Sequence, residues 1–307
     1  MQQQQQIPAP TSEILCLITT LSNPTHHQNH TNALNLLHTT LSSSPIAYSQ
    51  TCSQFARVVA CPSPDHLLPE EIEKWSQSDG GVSVMQLRHD PVGGWGQLRE
   101  MAGLLLKNSL VKSPVDSNTK MRMKLLPDAS MEMKQVLCRC IVDESAGVRR
   151  VASSIIASCT VGKEADGMEP LPLAEWGETI LGPFLMNCLE SAIGIMENGN
   201  VMPDNIKFAL LGSLQTLTKV LEDDAEKFER GISAAFNRII PCLLKLLKVC
   251  GEERVKVDSL KCCVDLILIM PGSLIAQMND FLGALSSLAG DSCMEVRKLV
   301  CRAIVTL

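Results

Sequence analysis

Two stretches of this chain carry the same pattern at the same offsets. Val148 is followed by Arg149 and then by apolar residues at +3, +4, +7, +8 and +11, namely Val151, Ala152, Ile155, Ile156 and Cys159. Val296 is followed by Arg297 and then by Leu299, Val300, Ala303, Ile304 and Leu307. Steps of three and four place such residues on one stripe of an α-helix. Each unit also has an Asp five residues before its anchor, Asp143 and Asp291, in a short turn of small and polar residues.

Three further segments follow the template less completely: Leu98 with Arg99, Ile206 with Lys207, and Val255 with Lys256. The five anchors lie about 40 to 60 residues apart, the spacing of a helical repeat that carries loop insertions. The stretch 33–41 is a weaker sixth unit at the front. Apolar helices are expected ahead of the later anchors, over 130–142, 176–190, 229–249 and 274–289. A pair of helices cannot bury both of its apolar faces alone, so pairs of this kind stack and share a continuous core. The pattern predicts an all-α, HEAT-type solenoid of about six helix pairs. The turn Asp can accept from backbone donors at the start of the following helix, and the basic residue after each anchor can pair with the Asp of a neighbouring repeat. On this reading Asp143, Arg149, Asp291 and Arg297 are structural.

Composition supports helices. Aromatics are only 3% of the chain, too few for a sandwich core, so Leu, Ala, Ile, Met and Cys carry the apolar load. The net charge of −6 argues against a general nucleic-acid binder. The 13 cysteines are spread along a long chain, mostly inside apolar runs, and read as reduced core thiols in a reducing compartment. Arg57 is the first Lys or Arg, which leaves the start without the basic region of a signal or transit peptide. Apolar runs such as Leu266 to Met270 are far short of a membrane span. The Gln-rich residues 1–11 are expected to be a disordered tail. Residues 12–125 read as the first two repeats with an inserted loop near 62–94, and residues 126–307 as further repeats.

Catalytic patterns are missing. Gly93, Gly94 and Gly96 around Trp95 lack the Lys-Ser/Thr of a phosphate-binding loop and read as a flexible loop. His26, His27 and His30 have no Cys or carboxylate nearby to complete a metal set and read as a polar surface loop. Cys138 with Cys140, and Cys262 with Cys263, lack the gap of zinc or redox pairs. No enzyme activity, metal or cofactor is expected. The acidic run Glu222, Asp223, Asp224 and Glu226 fits either a receptor for a basic partner or a solvated helix boundary.

The stretch FLGALSSLAGDSCMEVRKLVCRAIVTL, residues 281–307, closely resembles a repeat of the transportins, importin-beta-type nuclear import receptors. Arg99, Ala102, Leu106, Lys107 and Asn108 match the signature of the importin-beta N-terminal domain, and 176–189 and 208–221 resemble transportin repeats in the expected order. The resemblance implies a nuclear import receptor that shuttles between cytoplasm and nucleus and is not an enzyme. Its partners would be the small GTPase Ran in its GTP form, cargo bearing a proline-tyrosine type nuclear localisation signal, and nucleoporins, with no nucleic acid and no membrane insertion. Lys107 and Asn108 are the first residues it implies for Ran contact, with Arg99, Asp143, Arg149 and Arg297 on or near the same inner surface. On the residues alone, Asn108 as a helix cap and Lys107 as a dipole-compensating cation remain an equal alternative. The chain stops at Leu307 inside an apolar helix, so a truncated array is expected, with the cargo-holding repeats beyond it. The competing reading is a HEAT scaffold, such as a phosphatase regulatory subunit, that shares the fold but needs no GTP-dependent partner.

Overall fold

The computed structural model describes residues 9–22, 27–77, 94–115, 123–160, 181–269 and 271–307, with backbone alone for 27, 159–160 and 223–236. The chain divides into two compact units, residues 1–140 and 141–307. Helices dominate both. No helix among the described residues is long and apolar enough to cross a membrane.

The first unit contains α1 (Ser12–Ser22), α2 (His27–Ser43), α3 (Pro45–Ala60), α4 (Pro69–Ser76), α5 (Gly96–Val111) and most of α6 (Pro127–Ile141). Helix α3 starts where its sequence dictates: the Ser44 hydroxyl accepts the Ala47 N–H at 3.1 Å, and Pro45, which has no N–H to satisfy, fills the first turn. It then supplies the centre of the unit. Tyr48 donates its hydroxyl to the Ser109 carbonyl of α5 (3.0 Å), Arg99 of α5 returns a bond to the Val59 carbonyl (2.8 Å), and Ser49 accepts the Leu126 N–H (2.9 Å). Phe55, Val58 and Val59 are fully buried between these partners.

The expected insertion near 62–94 has structure over its first part. Helix α4 packs on α1, where the Glu71 carboxylate accepts the Ser12 N–H at 2.5 Å. Trp75 is fully buried and meets Trp95 edge-on, ring centres 6.3 Å apart. The Trp95 indole donates to the Cys61 carbonyl at 2.9 Å, so Gly94 and Gly96 flank a buried anchor rather than a flexible loop. Residues 78–93, including Gly93, lie outside the described residues. At the front of the chain Pro10 is buried and the Thr11 N–H donates to Gln54 at 3.0 Å, so the tail expected over 1–11 gives way to ordered chain by residue 10. His27 and His30 belong to α2 and not to a loop, while His26 lies outside the described residues.

The second unit contains α7 (Ala146–Thr160), α8 (Gly182–Glu197), α9 (Asp204–Val249), α10 (Glu253–Ile269), α11 (Gly272–Ala276), α12 (Met278–Leu288) and α13 (Met294–Thr306). Two rows of helices run through it. In one row the hydroxyls of Ser153 (α7) and Thr216 (α9) meet at 2.9 Å, and Thr218 (α9) meets Cys262 (α10) at 3.0 Å. The other row is laced on its exposed side: Arg238 of α9 pairs with Glu190 of α8 at 2.6 Å, Lys245 with Glu197 at 3.4 Å, and Lys248 with Asp280 of α12 at 3.4 Å. Helix α8 ends in a Schellman turn, with Gly199 at φ +67° and the Asn200 and Gly199 N–H groups bonded to the Ile195 and Met196 carbonyls.

The sequence predicts separate helices near 206–217 and 229–249. The structure joins them in the single 46-residue α9, which serves one row with its first half and the other row with its second. Pro241 removes the donor for the Asn237 carbonyl, yet the helix continues because α8 and α12 hold the segment on both sides. The helix expected over 274–289 is instead α11 and α12, divided at Gln277. In α13 the template residues Val296, Leu299, Val300 and Ala303 are buried, but Ile304 is 56% and Leu307 42% exposed, since the described chain lays no helix over that flank. Cys52, Cys61, Cys140, Cys242, Cys250, Cys262 and Cys263 are buried as expected of core thiols, whereas Cys16, Cys138, Cys188 and Cys293 are half-buried and Cys301 faces solvent. Burial pushes the Cys263 thiol up to about 12.

Gly212 marks a close approach of backbone to backbone in this unit. A Cβ there would stand 1.8 Å from the Ile141 carbonyl oxygen and 3.1 Å from the Arg149 Cδ. Gly212→Ala is therefore expected to destabilise the protein by about 2 kcal/mol or more, because backbone and not a flexible side-chain tip must move; a chemical denaturation midpoint equal to that of the unsubstituted chain would contradict this contact.

Asp265 on α10 gives a pH-dependent counterpart. Burial and the Glu222 charge raise its carboxyl to about 6, against the pull of Arg302 and Lys261. A raised acid favours the fold in its protonated form, so the penalty grows as pH rises above the ordinary carboxylate range and is complete above about 6. Asp265→Asn is expected to stabilise by about 1 kcal/mol at pH 8, allowing for solvent screening, and to change little at pH 4; thermal melts at the two pH values read the difference.

Candidate partner-binding turns

The duplicated motif has one geometry. At the first copy the Ser145 N–H donates to Asp143 Oδ1 at 2.9 Å, and Arg149 folds back so that one terminal nitrogen donates to the Asp143 carbonyl (2.6 Å) and the Glu144 carbonyl (2.8 Å). At the second copy the Cys293 N–H donates to Asp291 Oδ1 at 2.9 Å, and Arg297 reaches the Asp291 and Ser292 carbonyls at 2.6 and 3.0 Å. The Asp closes the turn and the Arg collects two carbonyls of the turn itself. Both residues thus serve the turn, the Asp as expected, whereas Arg149 and Arg297 hold their own turns and, among the described residues, do not pair with the Asp of a neighbouring repeat, because the turn carbonyls lie within closer reach.

The basic residues after the other anchors bridge neighbouring pairs. Lys256 of α10 reaches Asp291 Oδ2 at 2.7 Å, and Lys207 of α9 reaches Glu252 at 2.7 Å. The first of these is the ladder contact expected from sequence. The Lys256 bond, seconded by the Cys293 N–H, holds the Asp291 carboxyl below the usual carboxylate range. Arg149 takes a different neighbour: its guanidinium lies over the Phe208 ring at 5.3 Å from the centroid, and the residue is only 2% exposed.

The residues expected at a partner contact are therefore differently disposed. Lys107 is half-buried and Asn108 exposed on α5. The helix continues to Val111, and the Asn108 carbonyl accepts the Lys112 N–H at 2.9 Å, so the Asn108 side chain does not cap the helix end and stands a turn inside it. Arg99, one turn from the start of α5, is 3% exposed and bonded to the Val59 carbonyl, which makes it a strut between α5 and α3. Asp143 is half-buried, Arg149 buried and Arg297 exposed. Arg99, Lys107 and Asn108 lie in the first unit, and Asp143, Arg149 and Arg297 in the second. Glu222, from the acidic run, is exposed and pairs with Lys219 at 3.1 Å; the side chains of its companions lie outside the described residues. Among the described residues no three His, Cys, Asp or Glu side chains gather as a metal would require. Sequence reasoning missed Gly212 and Phe208, which no local signal marks, and Glu252, whose position two residues into the turn before Val255 would have suggested a second ladder rung.

These features define a class: paired helices stacked in two rows, with acidic turns tied by the basic residue of the following helix, the arrangement of HEAT-type repeat proteins. Within that class the chain is similar to importin subunit beta-2 of Schizosaccharomyces pombe, 26% identical over 213 residues that make up 68% of this chain and 20% of that protein. It is similar to transportin of Dictyostelium discoideum, 27% identical over 215 residues (68% and 19%), and to transportin-1 of Mus musculus, 25% over 210 residues (68% and 20%). Over that span the chain is transportin-like, and it matches about a fifth of the length of these relatives. No protein-family model matches it. Among solved structures it aligns with a designed armadillo repeat protein in complex with peptide (KR)4, at 16% identity and a TM-score of 0.41, covering 95% of this chain and 98% of that one.

Removing the ladder cation tests the turn directly. Lys256→Met is expected to lower the denaturation midpoint at pH 7, since it strips Asp291 of its cation while the carboxylate stays in place. An acid held low stabilises the fold above its ordinary pKa and loses that contribution as pH falls through the lowered value. The gap between the two proteins should accordingly close below about pH 4, as titration of the midpoint against pH would reveal.

Proposed function

We propose that this chain acts as the Ran-binding N-terminal region of a transportin-type nuclear import receptor, engaging Ran in its GTP form and serving import of cargo bearing nuclear localisation signals through the nuclear pore. The observation that carries the reading is the 25–27% identity to importin beta-2 and transportins over 68% of the chain. The accessible Lys107–Asn108 pair on α5 supports it, since these residues present a cation and an amide on a rigid helix. In this reading Lys107 and Asn108 touch the GTPase. Arg297 adds an exposed guanidinium at a second turn, while Arg99, Asp143 and Arg149 hold the helices and turns in register. Nucleoporins are the partners of transit, the protein shuttles between cytoplasm and nucleus, and no catalytic step is assigned to it.

The test is binding of the purified chain to Ran loaded with a non-hydrolysable GTP analogue and, separately, with GDP. Preference for the GTP form, weakened about tenfold by Lys107→Ala, is the expected result, a loss of roughly 1.4 kcal/mol. Equal or absent binding by a chain whose far-ultraviolet circular dichroism shows it folded would overturn the reading in favour of a scaffold without GTP-dependent partners.

A further inference from the structure

The first unit holds a groove of about 710 Å³ between α1, α2, α3 and the start of α6. That volume lies within the range of ligand-binding clefts. Its apolar lining comes from Ile14 and Leu17 of α1, Leu36 of α2, Ile46 of α3, and Leu126 with Ala129 at the start of α6. Leu36 is 62% exposed, Ile46 58% and Leu126 40%. Single exposed aliphatics are ordinary on a protein surface, but three converging on one concavity form a patch with a use.

The rim is acidic. Glu13, Asp128 and Glu132 line the groove, and Arg57 is the cation among the lining residues. Arg57 is already engaged: its guanidinium clamps the Glu132 carboxylate through two bonds of 2.6 and 3.2 Å. Glu13 and Asp128 are exposed and make no ion pair among the described residues. An occupant therefore meets an apolar floor and two exposed carboxylates without an ion-pair partner among the described residues, each in the first turn of its own helix, α1 or α6, where the helix dipole offsets part of its charge. Charge complementarity selects Lys or Arg at its margins.

The walls decide its backbone. They are helices and not strands, so although the first turns of α1, α3 and α6 leave N–H groups unbonded within their helices, the groove offers no sheet edge to an extended peptide. An extended segment would lose water from its backbone without a ladder of new partners, whereas a helix carries its own bonds and presents aliphatic side chains at i and i+4. We propose that this groove is a docking site for an amphipathic helix of a partner protein, with aliphatic residues on the face that enters it and Lys or Arg flanking that face. The inference stands on the groove's chemistry and does not rest on the transport reading.

The probe is a fluorescein-labelled, end-capped 16-residue peptide of Leu and Lys with its leucines on one helical face, titrated with the full chain and read by fluorescence anisotropy. Two control peptides share its length: one with Glu replacing every Lys, and one with two central Pro substitutions that break the helix. Saturable binding is expected, at least about tenfold weaker for both controls and for the Leu36→Ser/Ile46→Ser chain, whose substitutions sit on exposed positions and leave the circular dichroism unchanged. Glu13→Lys with Asp128→Lys should reverse the preference toward the Glu peptide. Several outcomes would overturn the proposal: no saturable binding, equal affinity for the Pro peptide, indifference to the groove substitutions, or concentration-dependent self-association abolished by Ile46→Ser, which would assign the groove to a second copy.

Discussion

Everything in the second unit follows from the fact that a helix pair can hide only one of its apolar faces by itself. The stripe of Val148, Ala152, Ile155 and Ile156 is covered by the next pair, and the stripe of Leu210, Leu214 and Leu217 finds its cover in turn. Each full burial of such a side chain contributes on the order of 2 kcal/mol, so the stacking contacts outweigh any single ion pair on the surface. The pairs can approach closely because the contact points are small or hydroxylated. Gly212 lets α9 ride against the end of α6, and Ser153 and Thr216 satisfy each other where a charged group would be stranded.

The polar ladder adds register to that apolar stacking. Asp143 and Asp291 bond inward to their own turns, and Arg149 and Arg297 tie the same turns from the helix that follows. Lys256 then carries the connection from one pair to the next through the second oxygen of Asp291. A carboxylate with both oxygens engaged fixes the turn in one position, and with it the start of α13. Arg99 and Arg149, charged but buried, act within the structure, whereas Lys107 is half-buried and Asn108 exposed on α5.

The anchor helices were legible in the sequence because a buried stripe imposes the 3.6-residue period directly on residue choice. The Asp of each turn was legible because its bond to the N–H two residues on is local, whereas the Arg was expected to reach a neighbouring repeat and instead folds back on its own turn. What escaped notice depends on contacts between distant segments. The unity of α9 was hidden by its acidic middle and by Pro241, although Glu, Asp, Ala and Lys there are compatible with a helix and the packing partners bridge the proline. The order of residues 64–77 was hidden because it rests on Trp75 meeting Trp95, two residues that sequence separates by an insertion. The groove beside Ile46 left no pattern at all, since its walls come from four helices.

Helix α9 has a mechanical consequence. At 1.5 Å per residue its 46 residues form a rod of about 70 Å, and it replaces the flexible connection that ordinarily separates one pair from the next. A loop at that junction would absorb a small rotation of either pair, whereas a continuous rod passes the rotation on. The two rows of the second unit are thus geared together at α9, and at Pro241, where one backbone bond of the rod is missing, packing on α8 and α12 takes over the support. A rotation of the α7 and α10 side therefore reaches the α8 and α12 side through α9 as through a common shaft.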